Sequence, residues 1–129
     1  MLPRKESGYA SEIVKRVGLT PPDPEMVVNT LSGGNQQKVV IGKWIGQRPT
    51  ALLFDEATQG IDIRAKHDVY RLAREISQDA GVIFASSEID EVLGLADRVM
   101  VMRDGRVVCE LDGATADRQT ALEYATGTR

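Results

Sequence analysis

Apolar residues along the chain follow two different patterns. Val69, Leu72, Ala73 and Ile76 recur at positions i, i+3, i+4 and i+7, the spacing of one helix face. The runs 51–54 and 82–85 are apolar without alternation, which is typical of strands covered on both faces of a parallel sheet. Because helices and strands alternate, the pattern predicts an α/β fold with a mostly parallel sheet and crossover helices.

Turn and cap residues set the bounds of these elements. Ser32 is a predicted helix N-cap, Asp62 caps a longer helix, and the pair Asp104-Gly105 is a strong hairpin signal. Three prolines in 21–24 form a loop. The predicted helices span 9–17, 35–45, 63–79, 89–95 and 116–125, and the predicted strands span 50–55, 82–85, 98–102 and 106–111.

Composition narrows the classes of function. The chain has 129 residues, a net charge of -3 and 5% aromatic residues, which disfavours a nucleic-acid surface or a base-stacking platform. One cysteine and one histidine exclude an internal disulfide and a cysteine–metal cluster. No apolar run suggests a membrane span or a signal peptide. These counts predict a soluble intracellular domain with an aliphatic core.

Two carboxylates end the first predicted strand. Asp55 could hold the water shell of Mg²⁺, and Glu56 could orient or deprotonate an attacking water. Ligands of parallel sheets bind at the carboxyl ends of strands, which here are 55–56 and 86–88. The alternative is a strand that simply ends in solvated acids, and the pair alone does not decide between the two.

The segment Ser32-Gly33-Gly34 precedes the second helix. Its glycines let the backbone approach a ligand closely, and the helix start offers free N–H groups to an anion. Taken alone, such a segment is more often only a turn.

The order of these motifs resembles the second half of an ABC-type ATPase domain. Residues 31–37 (LSGGNQQ) resemble the signature motif, 51–56 Walker B with its glutamate, and 60–62 (GID) the D-loop. Residues 82–87 are similar to the strand that leads to the switch residue, here Ser87. The sequences LSGGNQQKVVIGKW and SSEIDEVLGLADRVMVMRDG are similar to the carboxyl-terminal ATPase copy of tandem ribose/xylose/galactose-type importers.

This resemblance implies a set of ligands and partners. ATP held by a complementary, Walker A-bearing copy would contact the signature, and Mg²⁺ would bind through water at Asp55. A membrane permease and a sugar-binding protein complete such importers, which places the ATPase in the cytoplasm at the inner membrane face. The implied catalytic residues are Asp55, Glu56 and Ser87, and the implied nucleotide-contacting residues are Ser32, Gly33, Gly34, Asn35, Gln36, Gly60 and Asp62.

Three departures from the family pattern bear on activity. No G-x-x-x-x-G-K-[ST] loop occurs, so the chain resembles the carboxyl-terminal half of one domain, with 1–47 ending the helical subdomain and 48–129 forming half of the core. Ser87 occupies the position that many members fill with histidine, and Ala57 replaces the usual proline after Glu56. We therefore expect the isolated chain not to hydrolyse ATP.

Other hypotheses remain open at this stage. The chain could be a stand-alone, non-catalytic module that docks on a complete ATPase subunit; a DNA-repair type ATPase half is disfavoured by the lack of coiled-coil heptads and of a basic patch. An unpaired strand edge predicts self-association. The remaining single residues are interpreted structurally: His67 as solvated, Cys109 and Trp44 as core, Lys43 as a surface charge, and Lys38 as a surface charge or a weak nucleotide contact.

Overall fold

The order of helices and strands agrees with the pattern in the sequence. The computed structural model describes residues 4–128. The elements are α1 (Arg4–Val17), a 3₁₀ turn (Val28–Thr30), α2 (Gly33–Ile45), β1 (Ala51–Asp55), α3 (Ile63–Ile76), β2 (Gly81–Ala85), α4 (Ile89–Leu95), β3 (Arg98–Arg103), β4 (Arg106–Asp112) and α5 (Arg118–Thr126). Helix α1 begins earlier than predicted and α3 ends earlier. None of the described helices has the length and apolar character that a membrane span needs.

The chain forms two compact units, the first ending at Ile83 and the second beginning at Phe84. In the first unit, α2 packs on both α1 and α3. The predicted stripe on α3 is confirmed, since Val69, Leu72, Ala73 and Ile76 are all buried. His67 lies off this stripe and is exposed, also as predicted.

The first sheet departs from the prediction of strands buried on both faces. Strands β1 and β2 pair in parallel as a two-stranded sheet. Leu53 is 64% exposed and Ile83 is 55% exposed, so the prediction of full burial is wrong for the chain as described. Burial instead alternates along β1 and β2, because the described residues cover only one face of this sheet.

The second unit is built on a β-hairpin. Strands β3 and β4 pair antiparallel, and the turn between them has positive φ at both Asp104 and Gly105, as the sequence predicts. Val99 and Val101 point inward against Ala121 of α5. Cys109 packs against this cluster, which confirms its interpretation as core.

Trp44 was predicted to be core, and this prediction is wrong. Its side chain is 53% exposed, with the Lys43 ammonium 5.5 Å from the ring centroid. The buried face of α2 carries Gly42 and Ile45 instead, and position 44 lies at the flank of this face. Lys43 is exposed, as predicted.

The contact between α1 and α2 depends on one glycine. A Cβ at Gly42 would lie 2.9 Å from Ile13 Cγ2 and 3.3 Å from Val17 Cγ1. Both neighbours are branched side chains with little freedom to move away. Gly94 in α4 is the natural comparison, because nothing lies within 4 Å of the Cβ position there.

We expect Gly42→Ala and Gly94→Ala to change stability in opposite directions. Alanine gains about 1 kcal/mol of helix propensity at either site. At position 42 the crowding costs about 1–3 kcal/mol, so the net effect is destabilising. Thermal unfolding followed by circular dichroism measures both variants. A rise in the melting temperature of Gly42→Ala would show that the two helices separate without cost.

The exposed apolar side chains of the β1–β2 sheet also predict self-association. Within residues 4–128, each strand of this two-stranded sheet has one edge without a partner strand, and such edges pair with other chains. We expect the average mass in multi-angle light scattering to rise with concentration. Leu53→Lys should suppress this rise, whereas Val40→Lys on the exposed side of α2 should not. A constant monomer mass at high concentration would refute the prediction.

Candidate functional site

Ser32 ends an extended segment and begins helix α2. Its Oγ accepts a hydrogen bond from Asn35 N at 3.4 Å, and its carbonyl accepts one from Gln36 N at 2.8 Å. The side chain is therefore the N-cap that the sequence predicts. Ser32 and Gly33 are both exposed, so the start of this 13-residue helix faces solvent.

The side-chain amides of Asn35 and Gln36 hold the Ser32 turn in place through hydrogen bonds to the backbone. Asn35 bonds both backbone groups of Thr20: its Nδ2 donates to Thr20 O at 2.7 Å, and its Oδ1 accepts from Thr20 N at 3.3 Å. Gln36 Nε2 donates to Leu31 O at 2.9 Å. In this structure both residues brace the Ser32 turn with their side chains, and their family role as nucleotide contacts remains a prediction.

The two glycines of the turn have different surroundings. A Cβ at Gly34 would lie 2.5 Å from Ala65 Cβ, so glycine is needed there for the approach of α2 to α3. A Cβ at Gly33 would meet only Ile61 Cγ2, at 3.9 Å. The packing on Ala65 therefore requires glycine at position 34, and Gly33 has more open space around it. The contact of both glycines with a ligand stays a prediction.

The start of α3 lies close to the start of α2. Asp62 caps α3, its Oδ1 accepting a hydrogen bond from Ala65 N at 3.0 Å, as the sequence predicts. Gly60, two residues earlier, has φ +74°, and its surroundings are open. Because Gly34 packs on Ala65, the first turns of both helices are neighbours.

A polar cavity of about 390 Å³ lies beside these two helix starts. Both Ser32 and Asp62, the two cap residues, line it. Its charged lining is balanced, with two carboxylates and two cations. The lining residues are Gly18, Thr20, Ser32, Gly34, Asn35, Lys38, Asp62, Arg64, Ala65 and Asp68.

Lys38 is a buried ion-pair partner, which corrects its interpretation as a surface charge. Its side chain is only 9% exposed. Nζ lies 2.5 Å from Asp68 Oδ2 and donates a hydrogen bond to Gly18 O at 3.1 Å. The sequence holds a signal for this position, since residue 38 falls on the same helix face as Gly34, Ile41 and Ile45.

The carboxylates follow β1 in the same unit. Asp55 is exposed, so its charge is hydrated and needs no buried partner. Glu56 is half-buried and has φ +47°, a left-handed conformation that turns the chain away from the strand. The turn is closed by Gln59 N donating to Glu56 O at 3.1 Å, with Ala57 and Thr58 buried beneath it.

Ser87 lies after β2, in the second unit. It is exposed, and its neighbour Ser86 is half-buried. Ser86 Oγ donates to Glu91 Oε2 at 2.8 Å and accepts from Glu88 N at 3.0 Å, which orders the entry into α4. The described residues contain no group of three or more His, Cys, Asp or Glu that could hold a metal. A divalent ion at Asp55 would therefore need oxygens from a bound phosphate or from water.

The chain resembles known proteins in both sequence and fold. The family model described as ABC transporter matches residues 4–59. A ribose import ATP-binding protein of Burkholderia thailandensis is 46% identical over 94% of this chain. The match covers 24% of that protein, so the chain spans about a quarter of its length.

Solved structures share the fold. A metal-chelate type ABC transporter in an inward-facing conformation aligns over 98% of this chain and 51% of its own, with a TM-score of 0.82 and 19% identity. An ATP-binding cassette in a post-hydrolysis state bound to ADP and Pi aligns over 87% of this chain and 49% of its own, with a TM-score of 0.74 and 24% identity. These structures show a shared fold, whereas the sequence matches show that the chain belongs to the ABC transporter ATP-binding family, with relatives named as ribose import ATP-binding proteins.

Proposed function

We propose that the chain is part of the ATPase that drives a monosaccharide importer, and that it presents the Ser32–Gly34 turn to ATP bound by a Walker A-bearing partner domain. One observation carries this proposal: the start of α2 is exposed at Ser32 and Gly33 while the residues behind it are fixed. The same turn lies within the part of the chain that matches the ABC transporter family model.

The physical basis is the chemistry of a helix start. The first N–H groups of α2 have no partner within the helix, and the helix dipole places partial positive charge there. The Gly33 backbone carries no side chain that would hold a phosphate away. Ser32 adds a hydroxyl that can donate to a phosphate oxygen. These groups fit the charge on a γ-phosphate and need no basic side chain.

Asp55 and Glu56 would serve a second nucleotide, bound by the parent protein's own phosphate loop. The exposed Asp55 carboxylate suits a hydrated Mg²⁺, which prefers few carboxylates together with phosphate and water oxygens. When bound, the ion would neutralise phosphate charge. Glu56, held by its turn, would orient or deprotonate the attacking water, and Ser87 would occupy the switch position.

The finer assignment follows from the sequence. We place the chain in the carboxyl-terminal half of the second ATPase copy, with residues 1–47 closing the helical subdomain and 48–129 forming half of the core. The chain contains no phosphate loop of the Walker A type. Alone, it would therefore present a signature without holding ATP of its own.

The transported substrate is inferred from the relatives. Those that match over 94% of the chain are named as ribose import ATP-binding proteins, which supports a monosaccharide as the cargo. In this assignment the parent protein binds a membrane permease, works with a sugar-binding protein and lies at the cytoplasmic face of the membrane.

We expect calorimetric titration of the isolated chain with MgATP to show no binding, because no loop cradles the phosphates. Adding an ATPase domain that carries a Walker A loop should then give hydrolysis above that of the domain alone. A Glu56→Gln variant of this chain should stimulate equally, since the signature acts on the partner's nucleotide. Clear binding by the isolated chain would instead favour a stand-alone module.

Alanine substitutions at the two glycines of the turn should distinguish an effect on packing from an effect on ligand contact. The methyl group of Gly33→Ala has room, so we expect the melting temperature to stay unchanged. The same methyl group would keep the phosphate away from the turn, so we expect stimulation of ATP hydrolysis to fall roughly tenfold or more, as when one oxyanion contact is removed. Gly34→Ala should destabilise the chain by about 1–3 kcal/mol, because its methyl group meets Ala65. Thermal melting and the stimulation assay measure the two effects. Full stimulation by Gly33→Ala would exclude the turn as the contact.

A further inference from the structure

An ion pair between the buried Lys38 and the half-buried Asp68 lies next to the starts of α2 and α3, which the proposed function turns towards a partner. Lys38 is in the second turn of α2 and Asp68 is in the second turn of α3. Their charged atoms are 2.5 Å apart. One turn nearer the helix starts, Gly34 packs on Ala65. The two helices are therefore joined at two successive levels.

The pair restricts how the helices slide along each other. A charge that is nine-tenths buried is costly unless it is paired, so the Lys38 ammonium is held at Asp68 Oδ2. Nζ also donates to Gly18 O, which ties the loop after α1 to the same point. A slide of α2 by one residue, about 1.5 Å, would move Nζ away from its position between Asp68 Oδ2 and Gly18 O and would weaken both contacts.

We infer that Lys38 is a positioning residue: its pair with Asp68 fixes the register of α2 against α3, so that Ser32–Gly33 and Gly60–Asp62 meet the ATP-bearing partner as one rigid surface. This inference rests on the proposed function. In this inference Lys38 does not contact the nucleotide directly. It acts indirectly, through the positions of the two helix starts.

A second ion pair provides a matched control. Arg16 Nε lies 2.9 Å from Glu75 Oε1 and joins α1 to the far end of α3. Its side chains are 37% and 42% exposed, so it lies outside the packed contact of the helix starts. Removing Arg16 deletes an ion pair to α3 without touching the register at Ser32 and Asp62.

The first experiment uses amide hydrogen exchange in the free chain, which requires no nucleotide or partner. The reporters are Gln36 N, bonded to Ser32 O at 2.8 Å, and Lys66 N, bonded to Asp62 O at 2.9 Å. In Lys38→Met we expect both amides to exchange about tenfold faster or more, with less than a twofold change in Arg16→Met. If Lys38→Met does not fold, Asp68→Asn serves instead, because it removes the carboxylate charge that holds the Lys38 ammonium.

The pattern of exchange decides the inference. Faster exchange at both helix starts, with Ile41 and Ile45 unchanged, supports a shared register. Faster exchange at only one start, at neither start, or uniformly along the unit, overturns it.

The second experiment measures stimulation of the Walker A-bearing domain at a temperature where every variant is folded. Lys38→Met should raise the chain concentration for half-maximal stimulation about tenfold and keep the maximal rate within about twofold, because misregistered segments dock poorly but still complete the site. Lys38→Arg, which keeps the charge, should recover most of the loss, and Arg16→Met should match the original chain. Equal effects of Lys38→Met and Arg16→Met would overturn the inference. If the original chain itself stimulates nothing, the proposed function fails, while the exchange result still decides the register.

Discussion

The close approach of α2 and α3 is the constraint on which the candidate site depends. A single hydrogen atom at Gly34, in place of a methyl group, lets the first turns of the two helices touch at Ala65. Both helices carry side-chain caps at this end, Ser32 on one and Asp62 on the other. Two helix starts, each with partial positive charge, are thereby brought to one region of the first unit. The polar cavity between them results from this packing.

Much of this arrangement could be predicted from local sequence patterns. The α3 stripe, the caps at Ser32 and Asp62 and the Asp104-Gly105 hairpin each depend on residues close in the chain, and such signals survive without tertiary information. The motif order also located the carboxylates after β1. These features follow from backbone geometry and helix periodicity, which the sequence carries directly.

Other features depend on contacts between distant residues and could not be predicted in the same way. The sequence interpretation of Lys38 as a surface charge is wrong because Asp68 and Gly18, both distant in the chain, make its burial favourable. The need for glycine at position 34 comes from Ala65 on another helix, which local patterns do not predict, and the contact of Gly34 with a ligand stays a prediction. The apolar runs of β1 and β2 predicted full burial, but burial depends on what covers a strand, and within the described residues Leu53 and Ile83 remain exposed.

The N-cap at Ser32 also limits which side chains this position tolerates. A hydroxyl oxygen can accept from Asn35 N and donate its own hydrogen elsewhere at the same time, so capping and phosphate contact do not compete. Aspartate would cap the helix equally well but would present a negative charge to an anionic ligand. Alanine would lose both bonds. Among the good capping residues, serine and threonine alone combine a neutral acceptor and a donor in one atom, so the selectivity of the position can be traced to a single oxygen.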